Sequence, residues 1–366
     1  MGVLSGIKVL EIAAIGPVPW CGMLLADMGA SVIRVDRPGP AAPADSDAMK
    51  RGRVSVQLDL KVATGTHVAL DLVAKADVVM EGMRPGAMER LGLGPDVCLA
   101  RNPALVFARM TGWGQSGPLS SRAGHDINYI ALTGALHAIG REEKPVPPLN
   151  LVGDYGGGGT FLAIGLLAAL LEAKRSGQGR AVDVAMIDGA ASLMTLPHAR
   201  LGLGQWLDAR GQNMLDGGAP WYDVYKARDG KFMAVGAIEP QFYAELLHGL
   251  GLAPDDLPPR SDKAGWPVIR ARLEKIFLTR TRDEWAALFE NTDACVSPVL
   301  SLTEAPLHPH NVAREIFQPW NGHAVPGPAP RFEGYETGMA TESIVMNKDE
   351  ALAYWSNGPG TPAGPV

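Results

Sequence analysis

Short apolar runs alternate with segments of helical spacing through the N-terminal half of the chain. Residues 7–12 (Ile-Lys-Val-Leu-Glu-Ile) predict a strand, residues 20–28 predict a helix that ends at Gly29, and residues 31–35 predict a second strand. The same alternation predicts further strands at residues 54–58, 77–80, 104–110 and 181–186. Strands that alternate with helices form βαβ units, so we expect an α/β fold with a parallel sheet.

The pattern changes in the C-terminal half. Residues 224–228 and 231–237 flank Asp229-Gly230, a dipeptide typical of β-hairpins, and Glu239-Pro240 predicts the start of a helix. These signals indicate a second, α+β domain. The predicted division is a large α/β domain at 1–188, a linker at 189–220, a small α+β domain at 221–302, and a return linker with a C-terminal tail on the large domain at 303–366.

The composition limits the class of protein. The 366-residue chain has a formal net charge of −6, which argues against a nucleic-acid-binding protein. Its three cysteines are widely spaced, which favours a reducing compartment, and no residues have metal-ligand spacing. No charged leader precedes an apolar core at the N-terminus, and the longest apolar run, residues 160–171, is shorter than a membrane span. We expect a cytoplasmic protein with no membrane partner.

Basic residues cluster at or near the ends of the predicted strands. The clusters are Arg37; Lys50, Arg51 and Arg53; and Arg84 and Arg90. Ligands of open α/β sheets bind beyond the carboxyl ends of the strands, so a polyphosphate pocket is one interpretation and solvated loop charge is the other. Dinucleotide binding, with Asp36 as the ribose acid, is disfavoured because Gly16-Pro17 replaces the expected glycine-rich motif.

Two ionisable residues, His125 and Asp154, each precede an apolar run of helical spacing. The runs, at 127–139 and 161–171, predict buried helices, so each residue should lie at a helix N-terminus. That end of a helix carries partial positive charge and unpaired N–H groups, which would keep Asp154 ionised, keep His125 neutral and bind an anion. A neutral base and a carboxylate beside anion-binding backbone predict a proton-transfer site. Simple helix capping is the alternative interpretation for both residues.

Longer strings of residues make this interpretation more specific. The strings are 32–37 (Val-Ile-Arg-Val-Asp-Arg), 81–86 (Glu-Gly-Met-Arg-Pro-Gly), 124–129 (Gly-His-Asp-Ile-Asn-Tyr), 148–158, 211–220, 232–243 and 291–299. In this order they resemble the family III CoA-transferase superfamily, and within it the members that racemise 2-methylacyl-CoA thioesters. The resemblance implies a Rossmann-like large domain, a smaller α+β domain and an interlocked homodimer. It also implies a 2-methylacyl-CoA substrate and no cofactor beyond the CoA that the substrate carries.

The resemblance implies roles for individual residues. His125 and Asp154 would exchange the α-proton on opposite faces of the substrate, and Glu239 would be brought to the site by the partner chain. The backbone N–H of Asp126 would stabilise the enolate oxygen. CoA would be bound by Arg37, Leu58, Asp59, Leu60, Lys61, Gly82, Met83, Arg84 and Arg90, and the thioester would be lined by Gly124, Ile127, Asn128 and Tyr129.

Two other functions stay open at this point. In a CoA-transferase of the same superfamily, the residue matching Asp154 attacks the thioester and forms a mixed anhydride, and no base is needed at His125. A CoA-binding protein without turnover would keep the arginine clusters but would need neither residue.

The segment Lys50-Arg51-Gly52-Arg53 departs from the family pattern, which has Asn before Arg-Gly. The acyl chain of the substrate is not identified by any motif.

Overall fold

The computed structural model describes residues 2–39, 48–335, 339 and 343–355. The chain divides into two compact units. The α/β unit contains Met1–Thr133, Leu149–Met194 and Pro309–Val366, and the α+β unit contains Gly134–Pro148 and Thr195–His308. The α+β unit thus takes in residues 134–148 and 195–220 as well as the small domain predicted from the sequence.

The strands and helices are numbered in chain order. The strands are β1 (Lys8–Ile12), β2 (Ser31–Asp36), β3 (Arg53–Gln57), β4 (Val78–Glu81), β5 (Val106–Thr111), β6 (Gly140–Arg141), β7 (Lys144–Pro145), β8 (Arg180–Ala185), β9 (Tyr222–Lys226), β10 (Phe232–Gly236), β11 (Val296–Pro298), β12 (Phe317–Trp320), β13 (His323–Pro326) and β14 (Ile344–Met346). The α-helices are α1 (Pro17–Asp27), α2 (Ala63–Val73), α3 (Ala87–Arg90), α4 (Pro95–Arg101), α5 (Asp126–Leu132), α6 (Ala135–Ala138), α7 (Thr160–Ser176), α8 (Met186–Leu193), α9 (Thr195–Gly202), α10 (Pro240–Gly249), α11 (Trp266–Phe277), α12 (Arg282–Phe289), α13 (Pro309–Ala313) and α14 (Lys348–Tyr354). A π-helical segment, Leu151–Gly159, leads directly into α7.

A seven-stranded parallel sheet forms the centre of the α/β unit, with the strand order β14-β3-β2-β1-β4-β5-β8. The predicted parallel sheet is therefore confirmed, and each strand predicted for it lies within two residues of its observed bounds. The sequence pattern does not predict β14, because its three residues are too few to show alternation. The direction of winding reverses between β1 and β4, and open α/β sheets bind ligands in the crevice at such a point.

Helices cover both faces of this sheet. On one face α1 and α7 bury residues such as Val18, Leu162 and Leu166. On the other face α2 and α14 bury Leu72 and the nearby Trp355. Side chains alternate between the two faces along each strand, so every central strand contributes to both apolar cores.

The helical stretch that includes α7 is longer than the apolar run in the sequence suggests. The π-helical segment and α7 together form 26 continuous helical residues, Leu151–Ser176, which are long and apolar enough to cross a membrane by length and composition alone. The apolar run 160–171 therefore underestimates the length of this helical stretch. A core helix passes the same test, and α7 packs as one, since Leu162 and Leu166 are fully buried against the sheet.

The α+β unit is organised around a three-stranded antiparallel sheet in the order β11-β10-β9. The β9–β10 hairpin turns through Asp229-Gly230, where Gly230 adopts a φ of +83° that favours glycine. Tyr225, Phe277 and Trp285 form the aromatic centre of its core. The predicted hairpin is confirmed, and so is the helix start, because Glu239 is the N-cap residue of α10.

Candidate active site

A cavity of about 900 Å³ opens at the carboxyl ends of β1 to β4. The loop that follows β1, residues 13–15, and the loop that follows β4, residues 82–84, both line it. The other lining residues are Arg34, Asp36, Arg37, Lys50, Ser55, Gln57, Ala87, Arg90, Ser343 and Val345. The cavity therefore lies at the β1–β4 crevice, where ligands of this type of sheet bind.

Positive side chains predominate at the cavity. Arg37, Lys50, Arg84 and Arg90 all line it, so each of the three predicted basic clusters contributes at least one residue. The lining carboxylate, Asp36, accepts a hydrogen bond from Arg34 Nε at 2.9 Å and is thereby part of an ion pair. An anionic ligand in this cavity would meet cations from separate segments of the chain, an arrangement suited to phosphate groups.

Two of the predicted cluster residues, Arg51 and Arg53, are not at the cavity. Arg51 Nη2 lies 2.6 Å from Asp27 Oδ2, and Arg53 Nη1 lies 2.6 Å from Glu11 Oε2, with all four side chains buried. The expectation that the whole cluster reaches the pocket is therefore wrong for these two arginines. A buried carboxylate requires a charged partner, and the sequence does not indicate which arginine will pair with it.

Glu81 anchors the loop that follows β4. This carboxylate is fully buried, accepts the backbone N–H of Met83 at 2.6 Å and accepts Arg109 Nε at 3.1 Å. Burial raises the pKa of Glu81 above its usual range. Gly82 lies so close to the loop after β1 that an added Cβ would be 2.9 Å from the Ala14 side chain. Residues 82–84 are therefore held against the β1 loop, and both loops line the cavity.

The residues expected to contact CoA fall into two groups. Arg37, Gly82, Met83, Arg84 and Arg90 line the cavity. Leu58 is buried in the apolar core, and the segment 59–61 that follows it does not contribute to the lining described here. Asp59 Oδ1 instead accepts the backbone N–H of Lys61 at 3.0 Å, which closes a local turn before α2; Leu60 lies between these two residues.

His125 is the N-cap residue of α5, so its predicted position at a helix N-terminus is confirmed. Its backbone is extended, and its N–H donates a hydrogen bond to Oδ1 of Asn128 at 3.1 Å. Asn128 in turn donates its backbone N–H to the His125 carbonyl at 2.8 Å. These reciprocal bonds fix the backbone of His125 at the start of the helix. Asp126 follows as the first helical residue, whose N–H has no acceptor within the helix.

Asp154 lies in the first turn of the π-helical segment. Asn150 Nδ2 donates to Asp154 Oδ2 at 3.3 Å, and a Cβ on Gly16 would be 3.4 Å from the same oxygen. Gly16 directly follows the cavity-lining residues 13–15, so the β1 loop connects the basic cavity with Asp154. Single π-helical turns inside α-helices occur often at functional sites.

The surroundings of Asp154 oppose the effect expected from the helix N-terminus. Burial raises the pKa of the Asp154 carboxyl above its usual range; Asp126 raises it further, while the Asn150 hydrogen bond and His125 lower it. The positive end of a helix was expected to favour the ionised form. Desolvation outweighs that effect here because the carboxyl group is half-buried beside a second carboxylate.

Tyr129 shapes the loop that carries His125. Its ring packs edge-on against Trp113 with centroids 4.7 Å apart, and its hydroxyl donates to the carbonyl of Gly124. A Cβ on Gly124 would lie 2.8 Å from the Tyr129 ring, so the loop approaches closely only because it has glycine there. Burial raises the pKa of Tyr129, as do the nearby Asp154 and Asp126. Tyr129 thus belongs to the same cluster as the two proposed proton-transfer residues.

Two predicted site residues remain, Ile127 and Glu239. Ile127 is exposed on α5, directly after the cluster. Glu239 lies in the α+β unit as the N-cap of α10. Sequence reasoning missed Gly16 and Asn150, which contact or adjoin Asp154, and Ser343 and Val345, which line the cavity. The Gly16-Pro17 dipeptide was a usable signal, because Gly16 has a φ of +70° directly before α1.

The site thus combines an arginine-rich crevice, at the carboxyl ends of a doubly wound sheet, with the adjoining His125 and Asp154. The sequence of this chain is also related to a known family. The sequence model of CoA-transferase family III matches residues 4–343, and the chain belongs to this family. Two relatives are the alpha-methylacyl-CoA racemases of Mus musculus and Homo sapiens. The mouse protein is 48% identical over 90% of this chain and 85% of its own length, and the human protein is 46% identical over 89% and 86%.

The same fold is found in a solved structure. A CAIB/BAIF family protein from Brucella suis superposes with a TM-score of 0.81, covering 97% of this chain and 99% of that protein. At 23% sequence identity this similarity concerns the fold alone.

Proposed function

We propose that this protein is an α-methylacyl-CoA racemase, which interconverts the (R) and (S) forms of 2-methylacyl-CoA thioesters. The observation that carries the proposal is the pairing of His125 and Asp154 at the starts of two helical segments beside the basic cavity. The side chain of Asp126, the residue after His125, accepts the backbone N–H of Asp154 at 2.7 Å, so the two segments lie against each other. The 48% identity to the mouse racemase supports the same reaction.

The proposed chemistry removes the α-proton on one face of the thioester and returns a proton on the other. His125 acts as base toward one enantiomer and, once protonated, as acid toward the other; Asp154 has the complementary roles. The raised pKa of Asp154 suits this exchange, because the carboxyl group then holds a proton more readily. The negative charge of the enolate develops on the thioester oxygen, and the N–H of Asp126 at the start of α5 is placed to donate to it.

The cavity would hold the CoA portion of the substrate. Arg84 lies in the loop after β4, Arg90 ends α3, and Arg37 follows β2, so phosphate groups could be bound from both sides of the crevice. The substrate's thioester would then extend along residues 13–16 toward Asp154. This arrangement separates a binding region, rich in arginine, from a reacting region that contains His125 and Asp154.

Replacing Arg84 with alanine is expected to raise KM for acyl-CoA about 10- to 150-fold with little change in kcat, because a charge-assisted hydrogen bond contributes about 1.5–3 kcal/mol to binding. Steady-state kinetics test this. Arg101→Ala is the matched control, since Arg101 is exposed, pairs with Asp71 and lies outside the cavity lining. An unchanged KM in the Arg84 variant would contradict the placement of CoA in this cavity.

The rival reaction is CoA transfer with Asp154 as nucleophile. Asp154 must be ionised both to attack a thioester and to act as a base, so its raised pKa does not separate the two reactions. Transfer, unlike racemisation, has no need of a base at His125. The position of His125 at the start of α5 therefore favours proton exchange over formation of a mixed anhydride.

A homodimer is part of the proposal. The α/β unit exposes large apolar side chains on helices near the site, including Ile164 (58% exposed) and Leu171 (69%) on α7 and Leu193 on α8. Covering these residues with a second copy would remove apolar surface from water, and an interlocked partner could supply Glu239. Light scattering should give twice the 38.7 kDa chain mass, with no dissociation on dilution. A 38.7 kDa particle would refute the dimer.

The racemase activity is tested with a pure (S)-2-methylacyl-CoA and an added free carboxylic acid. We expect formation of both enantiomers, detected by chiral analysis of the hydrolysed acid, and no new acyl-CoA species. Appearance of CoA on the added acid, without racemisation, would establish a transferase instead. A parallel incubation without protein gives the rate of uncatalysed exchange.

A further inference from the structure

The carboxylate of Asp126 makes a contact that the proposed mechanism does not use. Its Oδ2 accepts the backbone N–H of Asp154 at 2.7 Å, although the two residues are 28 positions apart in the chain. Asp126 directly follows His125 and is the first residue of α5. One side chain thus joins the start of the helix that carries His125 to the backbone of Asp154.

The contact depends on a close approach at Gly153. A Cβ on Gly153 would lie 2.5 Å from Asp126 Oδ2 and 2.8 Å from its Cγ, distances that side-chain carbons do not tolerate. Glycine at this position therefore leaves the room that the Asp126 carboxylate occupies. The π-helical segment and α5 are in contact along this line.

The second oxygen of the carboxylate has no such partner. Asp126 is 6% exposed, and its Oδ1 is buried without a hydrogen bond among the described residues. A buried carboxylate oxygen normally has a hydrogen-bond partner. A purely structural role for Asp126 as a clamp, meaning the hydrogen bond that holds the Asp154 backbone, therefore does not account for Oδ1. The Asp126 carboxylate also acts electrostatically on its neighbours, because its charge raises the pKa of both Asp154 and Tyr129.

We propose that Asp126 is a positioning residue whose side chain fixes Asp154 relative to His125 and places a second carboxylate beside that of Asp154. The inference rests on the proposed racemase function and assigns the Asp126 carboxylate a role separate from that of its backbone N–H. The hydrogen bond sets the distance between the two acid–base groups. The charge sets the pH range in which Asp154 can return a proton.

Among the residues that the structure describes, two further polar side chains act on Asp154. His125, from α5, opposes the effect of Asp126, and Asn150 donates its hydrogen bond from the turn before the π-helical segment. Tyr129 is held neutral by its burial and by the two carboxylates, since its pKa is raised.

The helices α1, α7 and α8 and the strand β8 also pack against the π-helical segment. The ionisable side chains of α1 and α8 are Asp27, which is paired with Arg51, the buried thiol of Cys21, and Asp188, which is exposed. Those of α7 and β8 are all exposed: Glu172, Lys174, Arg175, Arg180 and Asp183. Asp126 is therefore the main source of negative charge near Asp154 among the described residues.

Two substitutions distinguish the effect of the Asp126 hydrogen bond (the clamp) from the effect of its negative charge. Asp126→Asn keeps an oxygen that can accept the Asp154 N–H but removes the charge, whereas Asp126→Ala removes both. Removing the charge lowers the pKa of Asp154, so the acid limb of the kcat/KM profile should move to lower pH by about one unit in both variants. The shift must be equal in the two reaction directions, because the equilibrium between enantiomers fixes the ratio of the kcat/KM values.

Loss of the clamp should appear in kcat. Asp126→Ala is expected to lower kcat about 10²-fold, the cost of a displacement of about 1 Å between reacting groups, while Asp126→Asn retains most of it. Gly153→Ala should resemble Asp126→Ala in kcat, because its Cβ displaces the carboxylate. Gly202→Ala is the control, since an added Cβ there meets nothing within 4 Å. Thermal melting checks that each variant is folded.

The inference and the proposed function can fail separately. If the wild type racemises its substrate but the acid limb is unmoved in Asp126→Asn, the electrostatic role is refuted. If Asp126→Ala also keeps the wild-type kcat, the clamp is refuted as well. If the wild type does not racemise, titration of the Asp154 carboxyl by ¹³C NMR in wild type and Asp126→Asn still tests the charge effect, with Asp154→Asn used for assignment.

Discussion

Replacing His125 with alanine is expected to lower the rate of racemisation by about 10³- to 10⁴-fold, the upper range for loss of a positioned general acid–base group. The remaining group, Asp154, still reaches one face of the substrate. Exchange of the α-proton with D₂O should therefore persist for one enantiomer only and with retained configuration. Proton NMR follows the exchange, and chiral analysis of the recovered acid follows the configuration.

The control for this variant is His67→Ala, because His67 is exposed on α2 and outside the cluster. Substantial racemisation by His125→Ala would remove His125 from the mechanism. Loss of exchange for both enantiomers, with normal folding, would indicate instead that His125 is needed for proton transfer on both faces of the substrate.

Replacing Asp154 with asparagine is expected to have a similarly large effect, about 10³-fold on racemisation, but with the opposite stereochemical signature. The amide cannot carry a proton between substrate and solvent, so only His125 remains active. Proton exchange should then persist for the enantiomer that His125→Ala no longer exchanges. Asparagine keeps the size of the side chain, so the packing against Gly16 and Asn150 should be preserved.

Asp71→Asn serves as the matched control for Asp154→Asn, since Asp71 is an exposed residue of α2. If Asp154→Asn loses exchange for the same enantiomer as His125→Ala, the two groups do not serve opposite faces. If Asp154→Asn still racemises at the wild-type rate, the carboxyl group has no part in proton transfer.

Much of the fold follows from local sequence signals. Apolar runs separated by helical segments predict the parallel sheet, and Asp229-Gly230 predicts the β9–β10 hairpin. The three-residue strand β14 carries too little pattern to be predicted, since its pairing with β3 depends on residues almost 300 positions away in the chain. The length of the helical stretch Leu151–Ser176 was also underestimated, because Gly156–Gly159 suggests a turn rather than a helix.

The candidate site, too, can be predicted from the sequence only in part. The cluster of cations at strand ends and the helix-start position of His125 follow from order along the chain. The burial of Arg51 and Arg53 does not, because ion pairing with Asp27 and Glu11 is a property of packing between distant segments. The protonation tendency of Asp154 likewise depends on desolvation and on Asp126, 28 residues earlier.

Early deuterium incorporation distinguishes proton exchange by two groups on opposite faces of the substrate from exchange by a single group. Pure (S)-2-methylacyl-CoA would be incubated with the wild-type protein in D₂O and quenched at low conversion, and the deuterium content of each enantiomer would be measured by mass spectrometry after chiral separation. With two groups, the inverted (R) product should carry solvent deuterium almost completely while the remaining (S) substrate carries little, because the proton is returned by the group on the opposite face. An (R) product that still carries the original α-proton would show that one group serves both faces, and would refute the assignment of His125 and Asp154 to opposite faces.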